Sequence, residues 1–168
     1  MLKKPWQTSL KTALQRANKP GCPARLAVMG IGHELGGDDA AGVRVAGLLR
    51  KSVAANERLL ALEAGPAPEN FTGKLRSFRP DLVLLVDAAL MNCPPGTVQW
   101  LDWRDTQGFS ASTHTLPLHI MAAYLTEELG CEVALLGIQP QQTFETAPLT
   151  PEIARAVRKV ARELANVM

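Results

Sequence analysis

Asp39, Asp87 and His114 are three ionisable residues whose types together could bind a divalent metal ion. Two carboxylates and one imidazole suit zinc, nickel or manganese, and they leave coordination positions for water or a substrate. Such an ion would polarise a carbonyl group and lower the pKa of a bound water. Each residue alone also has an ordinary structural role, so the hypothesis depends on the three converging.

Asp39 lies in a glycine-rich segment, GIGHELGGDDAAG, which has five glycines in 13 residues. A dinucleotide site is one interpretation, because glycines let a pyrophosphate approach a helix N-terminus. The spacing misses that fingerprint, and the paired aspartates Asp38 and Asp39 would repel a phosphate. Acidic residues at a helix start favour capping. We therefore predict that Asp38 caps the helix and that Asp39 is left for chemistry.

Asp87 ends the apolar run LVLLVD, and His114 lies in the polar segment SASTHTLPL just before a predicted helix. A carboxylate after an apolar strand is costly unless it is solvated, hydrogen-bonded or bound to a cation. Ligands of open α/β sheets collect beyond the carboxyl ends of the strands. We expect the segments that carry Asp39, Asp87 and His114 to meet there.

Periodicity predicts the elements that would position these residues. Strands are predicted at 25–29, 59–62, 82–86, 97–101 and 133–138, and helices at 39–51, 69–78, 117–129 and from Thr150-Pro151 to the end. The connection from the third to the fourth strand is too short for a helical crossover, so the fourth should be antiparallel. These elements predict a three-layer α/β/α sandwich with a mostly parallel, twisted sheet of about five strands.

Composition sets the class of protein. Hydrophobic residues make up 46% and charged residues 20%, which is typical of a globular chain. Residues 1–25 hold six basic and no acidic side chains, whereas the rest holds 12 basic and 16 acidic. An acidic body argues against nucleic-acid binding. Neither a signal peptide nor a membrane-spanning stretch is visible, so we expect a cytoplasmic protein without membrane insertion.

Residues 1–24 are predicted to be a basic N-terminal extension, and residues 25–168 a single domain. Trp6, Leu10, Ala13, Leu14 and Ala17 recur at helical spacing. A docked amphipathic helix, a flexible tail and a partner-binding arm are all compatible with this segment. Cys22, Cys93 and Cys131 form no CxxC pair, which argues against a disulfide framework or a thiolate zinc cluster.

Five segments together resemble the hydrogenase maturation endopeptidases. They are GIGHELGGDDAAGVRVA, EAGPAPEN, LVLLVDAAL, STHTLPL and LLGIQP, in that order along the chain. The APEN and GIQP pieces are especially similar to the branch that serves formate-hydrogenlyase-type [NiFe] hydrogenases. The resemblance covers the chain from residue 26 to about 160 and leaves out the basic N-terminal segment.

The resemblance implies an endopeptidase that removes the C-terminal extension of the [NiFe] hydrogenase large-subunit precursor after nickel insertion. It places the family's metal ligands and catalytic residues on Asp39, Asp87 and His114. The resemblance also implies that the ion is nickel presented by the substrate, with another divalent metal as an alternative; the sequence leaves open whether the enzyme carries a metal at rest. Glu34 and Asp38 are candidate general bases.

Two residues depart from the family pattern. His33 stands where the family has Asn, and it is either a fourth ligand or a loop hydrogen-bonder, the latter being favoured. Glu63 stands where many members have Asp, which puts any role in substrate placement in doubt. Two other functions are compatible with the sequence: a thiol hydrolase with Cys93 as nucleophile and His114 as base, and a non-catalytic nickel-binding chaperone of the large subunit.

Overall fold

Alternating apolar strands and amphipathic helices build the chain around one five-stranded sheet. The computed structural model describes residues 5–53, 56–106, 116–142 and 146–168. Within these ranges the strands are β1 (Leu26–Ile31), β2 (Leu59–Gly65), β3 (Leu82–Ala88), β4 (Val98–Leu101) and β5 (Glu132–Ile138). Their order across the sheet is β2-β1-β3-β5-β4. All neighbouring strands are parallel except β4, which pairs antiparallel with β5.

Helices cover both faces of the sheet. They are α1 (Trp6–Ala17), α2 (Ala41–Ser52), α3 (Thr72–Phe78), α4 (Leu118–Leu129) and α5 (Pro151–Val167). Helices α1, α2 and α5 pack on one face, and α3 and α4 pack on the other. The predicted three-layer sandwich with one antiparallel strand is confirmed.

The two central strands, β1 and β3, are buried along their whole length. Alternate β3 residues supply the two cores, since successive side chains point to opposite faces. Leu84 and Val86 pack towards α2 and α5, whereas Val83 and Leu85 pack towards α3 and α4. This double coverage explains why β3 is a continuous apolar run rather than an alternating one.

The basic N-terminal segment contains α1, and α1 packs on the sheet. Trp6, Leu10, Ala13 and Leu14 are buried in the same core as α2 and α5. Of the three alternatives considered from the sequence, the structure contains the docked helix. The other side of α1 carries Lys11 and Arg16, which are exposed.

Several predicted helix and strand boundaries are wrong near the carboxyl ends of the strands. Helix α2 begins at Ala41 rather than Asp39, because Gly37–Ala40 forms a turn of 3-10 helix. Helix α3 begins at Thr72 rather than Glu69, because Pro68–Phe71 forms another such turn. Strand β3 continues to Ala88, so Asp87 lies within the strand.

The sheet has its topological switch point between β1 and β3. The chain leaves β1 through α2 to reach β2 on one side, and it returns through α3 to β3 on the other side of β1. The two helices lie on opposite faces, so a crevice opens between the carboxyl ends of β1 and β3. None of the helices in the described ranges is long and apolar enough to cross a lipid bilayer.

Candidate active site

The crevice at the carboxyl ends of β1 and β3 contains two aspartates. Asp39 comes from the turn Gly37–Ala40 that follows β1, and Asp87 is the penultimate residue of β3. Asp87 is in register with Gly137 of β5, and Val86 is in register with Gly30 of β1. Two of the three segments expected to converge therefore do so at the switch point.

The close approach of α2 to the sheet positions Asp39. Gly42, in the first turn of α2, lies so close to the strands that a Cβ there would overlap the carbonyl oxygens of Val86 and Ile31. Gly32 has a φ of 123°, and a Cβ on it would overlap the Asp39 carbonyl oxygen. These two glycines let the turn that carries Asp39 sit directly over the ends of β1 and β3.

The Asp39 side chain is held by the loop that precedes it. The His33 backbone N–H donates a hydrogen bond of 2.9 Å to Asp39 Oδ2. The His33 side chain stays exposed, and its Nδ1 accepts a hydrogen bond of 3.2 Å from the Leu35 N–H. Of the two roles considered for His33, the structure shows the loop hydrogen-bonder.

Asp87 is a buried carboxyl group beside a second one. Its residue is 4% exposed. Burial, and to a smaller extent repulsion from Asp39, raise the pKa of Asp87 to about 8, and a hydrogen bond with the Ala88 backbone opposes this rise. At neutral pH the pair therefore holds a proton on Asp87. Asp39 and Asp87 could contribute two oxygen ligands to a divalent cation, whose charge would offset the repulsion between them.

His114, the third predicted ligand, lies outside the described residues. Among the residues that the structure describes, no group of three His, Cys, Asp or Glu side chains is close enough to hold a metal ion. The geometry thus brings together Asp39 and Asp87, and the assignment of His114 stays a prediction.

Comparisons with known proteins identify the family to which this chain is similar. The family model for HycI, described as hydrogenase maturation protease, matches residues 43–167. The chain is 36% identical to the hydrogenase 3 maturation protease of Escherichia coli K12, over 80% of this chain and 85% of that protein. It is 34% identical to a putative hydrogenase maturation protease of Methanocaldococcus jannaschii, over 86% of this chain and 88% of that protein. The chain belongs to the hydrogenase maturation protease family.

A solved structure agrees with this assignment. The crystal structure of the HycI [NiFe] hydrogenase maturation protease from Thermococcus kodakarensis superposes with a TM-score of 0.82 at 33% identity. The match covers 95% of this chain and 97% of that one. The crevice between β1 and β3 is therefore the candidate active site of a maturation endopeptidase.

The predicted roles of Asp38 in this maturation protease are wrong. Its side chain does not cap α2. Asp38 is 0% exposed, and its carboxylate accepts hydrogen bonds from the N–H groups of Gln141, Gln142 and Thr150 and from the Thr150 hydroxyl. A carboxylate enclosed by donors in this way cannot act as a general base on substrate. Glu34, the other candidate base, is exposed in the loop after β1.

Thr150 binds Asp38 instead of capping its own helix. It occupies the N-cap position of α5, but its side chain makes no capping hydrogen bond. The Thr150 hydroxyl donates instead to Asp38, at 3.0 Å from Oδ2 and 3.1 Å from Oδ1. The local sequence favours a cap, whereas the tertiary contact offers the hydroxyl a buried carboxylate.

Sequence reasoning recognised the GIQP segment but gave Gln139 no role. Gln139 is 8% exposed, and its Oε1 accepts a hydrogen bond of 2.6 Å from the Met91 N–H. A buried glutamine directly after an apolar strand was the available signal, because a buried amide requires partners.

Glu63, the second departure from the family pattern, faces α2. Its carboxylate lies against Gly47, where a Cβ would be 2.9 Å from Glu63 Oε2. Arg50 of α2 forms an ion pair of 2.8 Å with Glu63 Oε1. In this maturation protease Glu63 therefore ties β2 to α2.

Proposed function

We propose that this maturation protease removes the C-terminal extension of the [NiFe] hydrogenase large-subunit precursor once nickel has been inserted. Family membership supports the reaction class, and the E. coli relative is by name a hydrogenase 3 maturation protease. The resemblance of the APEN and GIQP segments supports a partner of the formate-hydrogenlyase branch. The substrate is thus a folded protein that carries its own metal ion.

The observation that carries the proposal is the electrostatic coupling of Asp39 and Asp87. Two carboxyl groups buried in one crevice are unfavourable as a pair of anions, and Asp87 accordingly retains its proton with a pKa of about 8. A positive charge beside these two carboxyl groups would relieve their repulsion, and the described residues do not supply one. Asp39 and Asp87, with His114, would hold the nickel of the precursor. This donor set of oxygens and one imidazole nitrogen fits a borderline divalent ion.

The protein's own residues prepare and orient the site. The His33 N–H fixes Asp39 Oδ2, and the β3 ladder fixes the backbone of Asp87 against Gly137. The Asp87 carboxyl group must release its proton when nickel-loaded precursor enters, so binding and deprotonation are linked. The ion, when bound, supplies polarisation of the scissile carbonyl and a lowered pKa of water. A precursor without nickel would leave Asp87 neutral and the site incomplete.

The test compares precursor loaded with nickel and precursor without it. Purified protein is mixed with each form, and the C-terminal mass of the large subunit is measured by intact mass spectrometry. We expect a mass loss only with the nickel-loaded form. Binding of that form without cleavage would instead support the nickel-binding chaperone. Equal cleavage of both forms, also in the presence of a chelator, would assign the chemistry to the Asp39–Asp87 pair alone.

His114 is tested by a matched pair of histidine variants. His114→Ala should abolish processing if the imidazole is the third ligand. His119→Ala is the control, because His119 lies on α4 and is half-buried. Wild-type processing by His114→Ala would remove this residue from the ligand set while leaving the two aspartates in place.

The thiol-hydrolase alternative depends on Cys93. Its Sγ–H donates a hydrogen bond of 3.7 Å to Gln139 Oε1, an arrangement that does not activate a thiol as a nucleophile. Cys93→Ala and iodoacetamide-treated protein should both process the precursor at the wild-type rate. Inactivation by either change would favour the thiol mechanism.

We also propose that the protein acts in the cytoplasm. Cys22, Cys93 and Cys131 are free thiols in the structure, which is the usual state in a reducing compartment. Fractionation of cells followed by immunoblotting would test the location, and recovery outside the cytoplasmic fraction would contradict it.

A further inference from the structure

The segment that leaves β5 contacts both of the segments that carry the candidate catalytic aspartates. This segment consists of the last two residues of β5 and the loop that follows them, residues 137–142, and is called the β5 exit. Gly137 at its start is in register with Asp87. Gln141 and Gln142 at its end bind Asp38, the neighbour of Asp39. The β5 exit therefore spans the crevice from one acid-bearing segment to the other.

On the β3 side, Gln139 fastens the loop that follows Asp87. Its side-chain Oε1 accepts from the Met91 N–H at 2.6 Å. Its backbone N–H donates to the Thr97 carbonyl at 2.9 Å, and its carbonyl accepts from the Gly96 N–H at 2.9 Å. The Ala89 N–H also donates to the Ile138 carbonyl at 3.0 Å. The backbone on the carboxyl side of Asp87 is thus tied to β5 at several points.

On the β1 side, Asp38 fastens the turn that carries Asp39. Its Oδ2 accepts from the N–H groups of Gln141 and Gln142, both at 3.0 Å. Its Oδ1 accepts from the Thr150 N–H at 2.7 Å. The Asp38 N–H donates to the Gln142 carbonyl at 3.3 Å. The turn is thereby bound to the β5 exit through both the backbone and the side chain of one residue.

Burial of the Asp38 carboxylate costs free energy, which indicates that the position it gives to the turn is important. A fully buried carboxylate is expensive unless it is well satisfied, and a neutral polar residue would hold a loop at lower cost. Within the described part of the chain, no Lys or Arg side chain forms an ion pair with Asp38. A carboxylate does have two oxygens, which here bind Gln141, Gln142 and Thr150 together and so fix the turn in one orientation.

We infer that Asp38 and Gln139 are positioning residues that set the separation of the Asp39 and Asp87 carboxylates through the β5 exit. This inference rests on the proposed function, since it concerns the same site. Asp38 fixes Asp39 by adjacency, and Gln139 fixes the strand end that contains Asp87. Catalytic ligands must be held within about 0.5 Å of their working positions, and a displacement of about 1 Å can cost roughly 100-fold in rate.

The first test uses amide and thioether variants with matched controls. Asp38→Asn puts an amide N–H against N–H donors, and Gln139→Met keeps the length of the side chain but removes its hydrogen bonds. Asp81→Asn is the control for the first, because Asp81 also accepts a backbone hydrogen bond, from the Arg25 N–H at 2.9 Å, at the other end of the sheet. Gln7→Met is the control for the second, because Gln7 of α1 binds Glu163 away from the crevice.

Processing of nickel-loaded precursor is followed under single-turnover conditions at a temperature where circular dichroism shows each variant to be folded. We expect the rate constant of cleavage to fall at least about tenfold for Asp38→Asn and Gln139→Met, with the apparent precursor affinity changed by less than about twofold. The two controls should keep the wild-type rate constant. A folded Asp38→Asn variant with the wild-type rate constant would overturn the inference.

A second pair of variants decides the question if Asp38→Asn does not fold. Thr150→Ser keeps the hydroxyl that binds Asp38, and Thr150→Val removes it with little change in shape. We expect the Thr150→Ser variant to keep the wild-type rate constant of cleavage and the Thr150→Val variant to have a lower one. Equal rate constants for the two variants would contradict the inference.

Titration of Ni²⁺ alone into each variant by calorimetry separates this inference from the proposed function. We expect Asp38→Asn or Thr150→Val to weaken Ni²⁺ binding, whereas Asp81→Asn should not. Failure of the wild-type protein to cleave any precursor would overturn the proposed function, and a weaker Ni²⁺ affinity in the variants would still support positioning. Unchanged Ni²⁺ affinity in a cleavage-competent protein would overturn the positioning inference only.

Discussion

Asp39 and Asp87 reach the same crevice from different strands, and the negative charge of Asp39 helps to keep a proton on Asp87. Burial is the larger cause and repulsion the second. The ionisation of Asp87 therefore depends on the neighbouring carboxyl group as well as on its own burial. Under the proposed function, the cation that arrives with the substrate would take the place of this proton.

The Asp87→Asn variant tests whether precursor processing requires the Asp39–Asp87 pair. We expect processing to fall at least about 100-fold, the lower end of the effect of removing a preorganised electrostatic group. The amide matches the shape of the protonated carboxyl group, so the fold should persist. Mass spectrometry of nickel-loaded precursor gives the rate, and Asp102→Asn, at an exposed cap of a 3-10 turn, is the control. Wild-type processing by Asp87→Asn would remove the metal-site hypothesis.

The pKa of Asp87 also predicts a pH dependence of stability. The folded-state pKa of Asp87 is about 8, whereas the ordinary pKa of an aspartate is 3.8, so the folded state binds the extra proton between these pH values. The stabilising contribution of the proton is present below pH 3.8 and is lost as the pH rises to about 8. Wild-type protein in a chelator should therefore lose stability over this range relative to Asp87→Asn.

Urea unfolding of wild type and Asp87→Asn at several pH values measures this difference. The gap in unfolding free energy between the two should widen from pH 5 towards pH 8 and then level off, because Asp87 is ionised above its pKa of about 8. Other titrating groups are shared by both proteins and cancel in the comparison. A gap that does not change with pH would show that Asp87 has an ordinary pKa.

The contact between α2 and the sheet is tested by Gly42→Ala. The new methyl group would overlap the carbonyl oxygens of Val86 and Ile31, so α2 must move away from β1 and β3. We expect a loss of about 2 kcal/mol or more in unfolding free energy. Processing should also fall in the fraction that folds, because the turn that carries Asp39 moves with α2.

Gly73→Ala is the matched control for Gly42→Ala. Gly73 lies in α3, and a Cβ there would meet nothing within 4 Å. The higher helix propensity of alanine should stabilise the protein by roughly 0.5–1 kcal/mol. Thermal unfolding of both variants gives the comparison. Similar melting temperatures for the two would contradict the close approach of α2 to the strands.

His33→Asn should have a mild effect. The backbone N–H of residue 33 binds Asp39 in either protein, and an asparagine Oδ1 can accept from the Leu35 N–H as His33 Nδ1 does. We expect the processing rate to stay within about threefold of wild type, since the change falls on an exposed side chain. Complete loss of processing would promote His33 to a direct ligand.

The sequence by itself determined the order and type of the elements. Apolar runs and helical spacing report short-range periodicity, and the short turn before β4 leaves room only for an antiparallel return. The same local patterns placed Asp39 beside Asp38 after β1 and Asp87 at the end of β3. The ordered motifs also identified the family, because each motif is a continuous stretch of chain.

Only the tertiary structure decided what each polar side chain does. Asp38 and Thr150 both carry the local signature of a helix cap, yet the Thr150 hydroxyl donates to the Asp38 carboxylate over a separation of 112 residues in the chain. The coupling of Asp39 with Asp87 likewise depends on the order of β1 and β3 in the sheet. Hydrogen-bond partners and charge repulsion are set by distance in space, and local periodicity carries no information on which distant segments meet.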